Sequence, residues 1–271
     1  MNRMKLSFST LGCPEWNWNE ILATAKDMGF DGIEIRGVGN ELYAPGIKEF
    51  SDINIKKTKE KLSEIGVKIV CLTSASYLYQ TAKVDRYIAE GKAYIDTARA
   101  LGVPYIRVLG DKDPQPSAII DDDTVASALE VLGEYAAGKD VMVLIETNGA
   151  YADTKRLSSL IQRLSCSNVG VLWDIHHPYR YFKESPKQTY DNIGRFIRYV
   201  HVKDSVYNEN GSLQYKMMGY GDLPVKECIR ILNQNGYDGY LSLEWVKRWY
   251  SDLEAPGVVF LQYINYMKKI I

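Results

Sequence analysis

The sequence lacks the features that mark several large classes of protein. Lys plus Arg total 33 and Asp plus Glu total 34, so the net charge is −1 and gives no support to a basic surface for nucleic-acid phosphates. No window contains the roughly 18 apolar residues that a membrane span requires. The four cysteines, Cys13, Cys71, Cys166 and Cys228, lie far apart and include no CxxC pair. The sequence therefore gives no support to a nucleic-acid partner, a membrane span, a disulfide framework or a cysteine-rich zinc site.

Two further absences bear on location and domain organisation. The N-terminal segment has basic residues followed by only a brief apolar stretch, without the long apolar region and cleavage site of a secretory signal. Together with the scattered cysteines, this predicts a reducing, cytoplasmic compartment. No linker rich in Pro, Gly or Ser interrupts the chain, so residues 1–271 are expected to form one domain.

Short apolar runs alternate with longer amphipathic runs along the whole chain. The predicted strands are LSFSTL, GIEIR, VKIVCLT, PYIRVLG, VMVLIE, VGVLWD, IRYVHVK and YLSLE. The predicted helices span residues 18–28, 52–65, 84–101, 123–137, 154–164, 187–193, 224–235 and 255–269. Eight strand–helix units in a chain of about this length predict a single-domain α/β protein, a (β/α)₈ TIM barrel. A doubly wound open sheet is the alternative, but the GxGxxG typical of its first turn is missing.

One segment, residues 205–222, breaks this rhythm because it is polar, punctuated by glycine and too long for a minimal turn. We expect a loop or a small hairpin there, over the barrel mouth. The apolar residues at helical spacing within 253–270 are typical of a core face or of a dimer face, which leaves a homo-oligomer open.

Four of the predicted strands end in side chains that bind metal ions. These side chains are Glu146, Asp174, His201 and Glu244, on the fifth to eighth strands. Because the carboxyl ends of barrel strands meet at one mouth, we expect the four side chains to converge. Three carboxylates and one imidazole favour a single Mn²⁺ or Mg²⁺ ion, with Co²⁺ or Zn²⁺ as alternatives. Structural salt bridges at the strand ends are the competing interpretation.

Other side chains are expected to line the same mouth. Arg107 and Glu34 alternate with apolar neighbours on their strands, so they are candidates for substrate contact or for neutralising each other. Lys203 lies two residues after the predicted histidine ligand and can stabilise developing negative charge, unless it forms a structural salt bridge. Trp16, Trp173, Trp245 and Trp249 stand near strand ends, where their rings can wall a pocket or pack in the core.

Several segments resemble a known family. LIETNG, LWDIHHP, RYVHVKD, GYGDLP and GYDGYLSLEW are similar to segments of the xylose isomerase-like TIM barrels, and essentially the whole chain takes part. Within that superfamily the chain is most similar to the sugar phosphate isomerase/epimerase group, which includes ketose 3-epimerases and inosose dehydratases. The resemblance implies that Glu146, Asp174, His201 and Glu244 bind one divalent metal ion, and that the two glutamates act as acid and base. It also implies that His177 contacts substrate oxygens.

The function implied by the resemblance is a metal-dependent isomerase or epimerase of a sugar, sugar phosphate or polyol, acting through an enediolate next to a carbonyl. A keto-sugar dehydratase on the same site and a non-catalytic carbohydrate-binding barrel are the alternatives. A DNA-repair endonuclease of the superfamily holds three zinc ions, and the three histidines of this chain argue against it. Tyr207 and Ala152 replace an arginine and a glutamate of the 3-epimerases, which leaves the 3-epimerase activity open.

Overall fold

The computed structural model describes residues 4–116 and 119–271. The strands within these ranges are β1 (Lys5–Ser9), β2 (Gly32–Ile35), β3 (Lys68–Tyr77), β4 (Tyr105–Leu109), β5 (Met142–Glu146), β6 (Val169–Asp174), β7 (Ile197–Val202), β8 (Asp204–Tyr207), β9 (Leu213–Lys216) and β10 (Tyr240–Leu243). The α-helices are α1 (Trp18–Met28), α2 (Ile55–Ile65), α3 (Val84–Leu101), α4 (Asp122–Ala136), α5 (Thr154–Gln162), α6 (His176–Phe182), α7 (Pro186–Ile193), α8 (Val225–Gln234) and α9 (Pro256–Met267).

Eight of the strands form a closed barrel in the order β1-β10-β7-β6-β5-β4-β3-β2. All neighbouring pairs are parallel, as a strand–helix alternation requires. Asp174 on β6 is level with His201 on β7, and His201 is level with Ser242 on β10. The predicted (β/α)₈ barrel is confirmed, and its register brings the carboxyl ends of these strands to one height.

The interior of the barrel is filled by its own apolar cluster. Val70, Cys71, Leu144, Leu172 and Tyr199 form this cluster, separate from the larger core between the strands and the helices. Since side chains alternate along a strand, the next inward positions towards the carboxyl ends of β5, β6 and β7 carry the predicted metal ligands. The packed interior thus forms a floor, and polar side chains lie above it at the mouth.

Helix α1 shows how local sequence sets the element boundaries. The Asn17 side chain accepts hydrogen bonds from the backbone of Asn19 and Glu20, and the Glu20 carboxylate accepts one from the Asn17 backbone at 2.7 Å. This capping box begins the helix. Gly29 ends it in the left-handed conformation, at φ 73°, which a residue with a side chain adopts at a cost. The bounds of α1 and α3 agree with those predicted from the sequence.

Strand β3 runs on to Tyr77, beyond the predicted VKIVCLT, and three other regions also differ from or refine the sequence-based expectation. Strand β1 ends at Ser9 rather than Leu11, because Thr10–Gly12 turn into a 3₁₀ helix. Helix α6 is an element that the sequence analysis did not predict, since HHPYRYF has no clear amphipathic period. The segment 205–222 contains most of an antiparallel hairpin, β8–β9, which confirms the hairpin alternative.

Among the described residues, no helix combines the length and the apolar content that a bilayer span requires.

Candidate metal centre and substrate cavity

The four predicted ligands lie together at the mouth of the barrel. Glu146, Asp174, His201 and Glu244 are buried, and each offers one ligand atom within 4.8 Å of the others. His201 Nδ1 lies 3.5 Å from Glu244 Oε1, 3.8 Å from Glu146 Oε1 and 3.9 Å from Asp174 Oδ2. These distances are too long for hydrogen bonds, and His201 Nδ1 has no hydrogen-bond partner. One imidazole and three carboxylate oxygens therefore face a common point, which fits the donor set of a hard divalent cation.

The orientation of the His201 ring is set by Glu34. The Nε2 atom of His201 lies 2.8 Å from Glu34 Oε2, and both side chains are buried. This geometry assigns a proton to Nε2, which donates to the carboxylate, and directs Nδ1 at the other ligands. A carboxylate behind a ligating histidine is a common support of metal sites. Glu34 thus acts on the site through His201 rather than by lining the cavity.

Buried cations hold the outer oxygens of the two glutamates. Arg107 Nε lies 3.1 Å from Glu146 Oε2. Lys203 Nζ donates to Glu244 Oε2 and also lies 2.6 Å from Asp174 Oδ2. Each glutamate consequently has one oxygen paired with a cation and the other directed at His201. Arg107 and Lys203 fix the carboxylates in the orientation that a shared ion requires.

The same contacts control the pKa values of the two glutamates. Burial pushes the pKa of Glu146 upward, but Arg107 and His201 outweigh burial, and the pKa lies well below its usual range. Burial likewise opposes ionisation of Glu244, but Lys203 and His201 lower its pKa. Both glutamates are therefore ionised at neutral pH, as metal ligands and proton acceptors must be.

The imidazole of His201 is affected in the opposite direction. Burial disfavours its charged form, but Glu34 and Glu244 raise its pKa well above the ordinary histidine value. Without an ion, the ligand cluster therefore holds a proton at His201. A metal ion must displace this proton in order to bind Nδ1.

His177 lies at the start of α6 and lines the cavity above the ligands. Its Nδ1 is 2.9 Å from the Thr147 carbonyl oxygen, so Nδ1–H donates there. Burial lowers the pKa of His177 and keeps the ring neutral, which leaves Nε2 as an acceptor without a hydrogen-bond partner. Nε2 is 3.6 Å from Asp174 Oδ2, close enough to the ligand cluster to meet a bound molecule there.

His176 serves a different purpose from its neighbour. Its Nε2 is 3.0 Å from Ser205 Oγ, and its ring stacks on Tyr215 with centroids 5.7 Å apart. Asp174, His176 and His177 form a second group that has metal-binding geometry. This group has only one carboxylate and overlaps the first at Asp174, so the four-residue group fits a hard cation better.

A cavity of about 360 Å³ opens above the ligand cluster, which is within the usual range of small-molecule sites. Its lining includes five predicted residues: Arg107, Glu146, His177, Lys203 and Glu244. Trp16 packs edge-on against Phe260, with centroids 5.7 Å apart, and Trp245 is 1% exposed and donates to the Glu254 carbonyl. Neither tryptophan lines this cavity.

Of the tryptophans expected near the mouth, Trp249 lines the cavity, and the sequence analysis missed the other residues of its wall. The aromatic part of the wall consists of Tyr77, Tyr215, Trp249 and Tyr250, and Arg36 completes it on the side of β2. Arg36 carried a signal in the sequence, since it shares a face with Glu34 in GIEIR. The tyrosines carried none, because they lie on strand extensions and loops whose paths the sequence does not show.

Comparisons with known proteins identify the family and the fold of the chain. The family model described as xylose isomerase-like TIM barrel matches residues 22–269. The chain is 24% identical over 266 residues to the fructoselysine 3-epimerase of Shigella flexneri, which covers 92% of each protein. The solved structure of a D-psicose 3-epimerase with D-tagatose from Clostridium cellulolyticum H10 has a TM-score of 0.78 at 16% identity, covering 98% of this chain and 99% of that one.

A second solved structure is also similar in fold. A xylose isomerase-like TIM barrel protein from Mycobacterium smegmatis in complex with magnesium has a TM-score of 0.76 at 16% identity, covering 98% of this chain and 96% of the other. The match of the family model over nearly the whole chain confirms the resemblance that segments such as RYVHVKD indicated. The chain belongs to the xylose isomerase-like TIM barrel family.

Proposed function

We propose that the protein is a divalent-metal-dependent isomerase or epimerase that transfers a proton next to the carbonyl of a keto-sugar. The observation that carries this proposal is the unpartnered Nδ1 of His201, facing three carboxylate oxygens directly beneath a cavity. The curated relative described above is a sugar 3-epimerase, which supports a sugar substrate.

The four ligands of this site would be Glu146, Asp174, His201 and Glu244, and Mn²⁺ or Mg²⁺ best suits their oxygen-rich donor set. When bound, a divalent ion supplies stabilisation of the negative charge that develops on the carbonyl oxygen. The protein's part is to hold the ligands rigidly, through Glu34 behind His201 and through the cations behind the two glutamates.

Proton transfer is assigned to Glu146 and Glu244, which both line the cavity. One ionised carboxylate would remove the proton from carbon. The other glutamate, after taking up a proton from solvent, would return that proton from the opposite face of the substrate, and the first glutamate would then release its proton to solvent. Arg107 and Lys203 orient these carboxylates. The neutral His177 accepts a hydrogen bond at Nε2 from a substrate hydroxyl and so positions the carbon that reacts.

Dehydration is the second candidate reaction, and the position of Lys203 favours it. Lys203 Nζ lies in the cavity wall beside both Asp174 and Glu244. An ammonium group at this place can donate a proton to a hydroxyl that leaves from the carbon next to the deprotonated one. The same first step, removal of a proton next to the carbonyl, therefore leads either to epimerisation or to loss of water.

The test is deuterium exchange into keto-sugars and inososes by the Mn²⁺-loaded protein in D₂O, followed by NMR. We expect deuterium at one carbon next to the carbonyl, and loss of water in the same spectra identifies a dehydratase. Glu146→Gln and Glu244→Gln should each slow exchange by about 10²–10⁴-fold, because each removes a proton-transfer group. The exposed Glu134→Gln is the matched control. Full exchange in either site variant, or after exhaustive chelation, would contradict the proposal.

A further inference from the structure

Arg36 is a buried cation in the cavity wall that has no anionic partner. It is 9% exposed, and its Nη1 donates to the Leu42 carbonyl at 3.3 Å. Its guanidinium carbon lies 5.8 Å from the ring of Trp249. Among the described residues, no carboxylate oxygen comes within the 4.0 Å of an ion pair to Arg36. The guanidinium thus retains donors that the protein does not use.

The charged side chains in contact with the ligand cluster would balance one another with a divalent ion present. Four carboxylates meet two protein cations and the two positive charges of the ion. The carboxylates are Glu34, Glu146, Asp174 and Glu244, and the cations are Arg107 and Lys203. Arg36 makes no ion pair with any of these carboxylates. Glu90 lines a neighbouring cavity together with Arg36 and acts on its charge without forming an ion pair, and Glu90 Oε1 accepts a hydrogen bond from the Ala75 backbone at 2.9 Å.

Leaving Arg36 unpaired is unfavourable for the free protein. Burial lowers its pKa, and the positive charge of Arg107 lowers it further. An arginine nevertheless stays protonated in proteins, so its charge remains in the wall at a cost in free energy. An arrangement of this kind is expected where a ligand supplies the missing negative charge.

The position of Arg36 indicates where that ligand charge would lie. Arg36 lines the cavity above the metal centre and also a neighbouring cavity of about 560 Å³, which Tyr43 and Tyr94 border. If the carbonyl end of a molecule occupies the first cavity, the other end of that molecule can lie beside the Arg36 guanidinium. The guanidinium fork suits the two oxygens of a carboxylate or phosphate.

We propose that Arg36 binds an anionic group of the substrate, so that the keto-sugar acted on at the metal centre carries a carboxylate or a phosphate. The sugar part of this inference rests on the proposed function. The anionic part rests on Arg36 alone, and a binding measurement tests it without any turnover.

The experiment is calorimetric titration of the Mn²⁺-loaded protein with fructose, fructose 6-phosphate and 5-keto-gluconate. We expect the wild-type protein to bind at least one of the two anionic ketoses about tenfold or more tightly than fructose, as a hydrogen-bonded charge pair provides. The ketose that shows the preference distinguishes phosphate from carboxylate. Arg36→Gln should reduce the preference to within about threefold, and Arg36→Lys should retain part of it, because it keeps the charge and loses the fork.

Arg99→Gln is the matched control, since it removes an exposed positive charge in the last turn of α3, at the opposite end of the barrel. It should leave the preference unchanged. Equal wild-type binding of neutral and anionic ketoses, or an unchanged preference in Arg36→Gln, would overturn the inference. If Arg36→Gln does not fold, a full wild-type preference in Arg36→Lys overturns the bidentate contact, and a reduced preference supports it.

Deuterium exchange measured on the same three ketoses separates the two proposals. A preference for an anionic ketose without exchange at any carbon would contradict the isomerase or epimerase and leave Arg36 as an anion-binding residue. Exchange on fructose without any preference for the anionic ketoses would support the enzyme and contradict the role of Arg36.

Discussion

Substitution of Lys203 best distinguishes the stability that the protein's own ion pairs provide from the stability that a bound metal ion adds. Its buried ammonium contacts Asp174 and Glu244, so it neutralises two of the carboxylates that an ion would also neutralise. Removal of one partner from a buried charge cluster leaves uncompensated charge. The stability of this site is therefore expected to depend on which cations are present.

We expect Lys203→Met to destabilise the metal-free protein by about 3–5 kcal/mol, because two buried carboxylates lose their counter-charge. Mn²⁺ should recover part of this loss, since the ion binds the same carboxylates. Urea unfolding with and without Mn²⁺ measures both effects. Lys187→Met, which removes an exposed pair with Asp191, is the control and should cost less than about 1 kcal/mol. Equal stability of Lys203→Met and the wild type would refute the argument.

Glu34 provides a second prediction for a single residue, because it orients His201 without lining the cavity. Glu34→Gln keeps the size of the side chain but weakens the hydrogen bond that fixes the ring. The affinity for Mn²⁺ should fall by about 10–100-fold. Equilibrium titration followed by the electron paramagnetic resonance of free Mn²⁺ measures this change, with Glu134→Gln as an exposed control. An unchanged affinity would mean that Glu34 does not support the metal site.

Among the elements, α6 and the β8–β9 hairpin depend on each other. Arg180 of α6 is buried and donates from Nε to Ser205 Oγ at 2.8 Å and from Nη2 to the Ser205 carbonyl at 2.5 Å. It also pairs with Asp222, beyond the hairpin. Tyr215 of β9 lines the substrate cavity. One arginine thus joins the helix that presents His177 to the hairpin that contributes Tyr215 to the cavity wall.

Arg180→Met should loosen the hairpin without unfolding the barrel. The loss of several hydrogen bonds to a buried charged group should lower the opening free energy of residues 204–216 by about 2–3 kcal/mol. Hydrogen–deuterium exchange resolved by peptide measures this change. The barrel strands β5 and β6 should keep their protection, and the exposed Arg195→Met should change neither region. Unchanged exchange in the hairpin would show that Arg180 does not anchor it.

The secondary structure could be predicted largely because its signals are local. The capping box at Asn17 and the glycine at position 29 lie within four residues of the helix ends that they set. Alternation of side chains likewise placed Glu146 and His201 on the inner face of their strands. Helix α6 was missed because its residues contact the cavity and the hairpin and therefore do not follow an amphipathic period.

For the whole molecule, metal binding should be coupled to pH through the ligand cluster. Glu34 and Glu244 raise the pKa of His201 in the metal-free protein, against the effect of burial. Over the pH range below this raised pKa the metal must displace a proton, so affinity should increase with pH, by up to about tenfold for each unit. The same shift makes His201 stabilise the metal-free fold below its ordinary pKa, and this stabilisation is lost as pH rises through the raised value.

Calorimetry of Mn²⁺ binding in buffers with different enthalpies of ionisation tests this coupling directly. We expect metal binding to release protons near neutral pH. Fewer protons should be released by Glu34→Gln, because the pKa of His201 falls when a negative neighbour is removed. Metal binding that releases no proton and has the same affinity at all pH values would contradict the raised pKa of His201.

The sequence by itself determined the barrel and the identity of the four candidate ligands. Both follow from periodicity and from the order of strand ends, which are properties of neighbouring residues. The tertiary structure alone decided that Trp16 and Trp245 lie away from the cavity and that Arg36 lies in its wall without an anionic partner. The physical reason is that burial and charge pairing depend on which strands and loops face one another after the barrel closes, and those contacts join residues far apart in the chain.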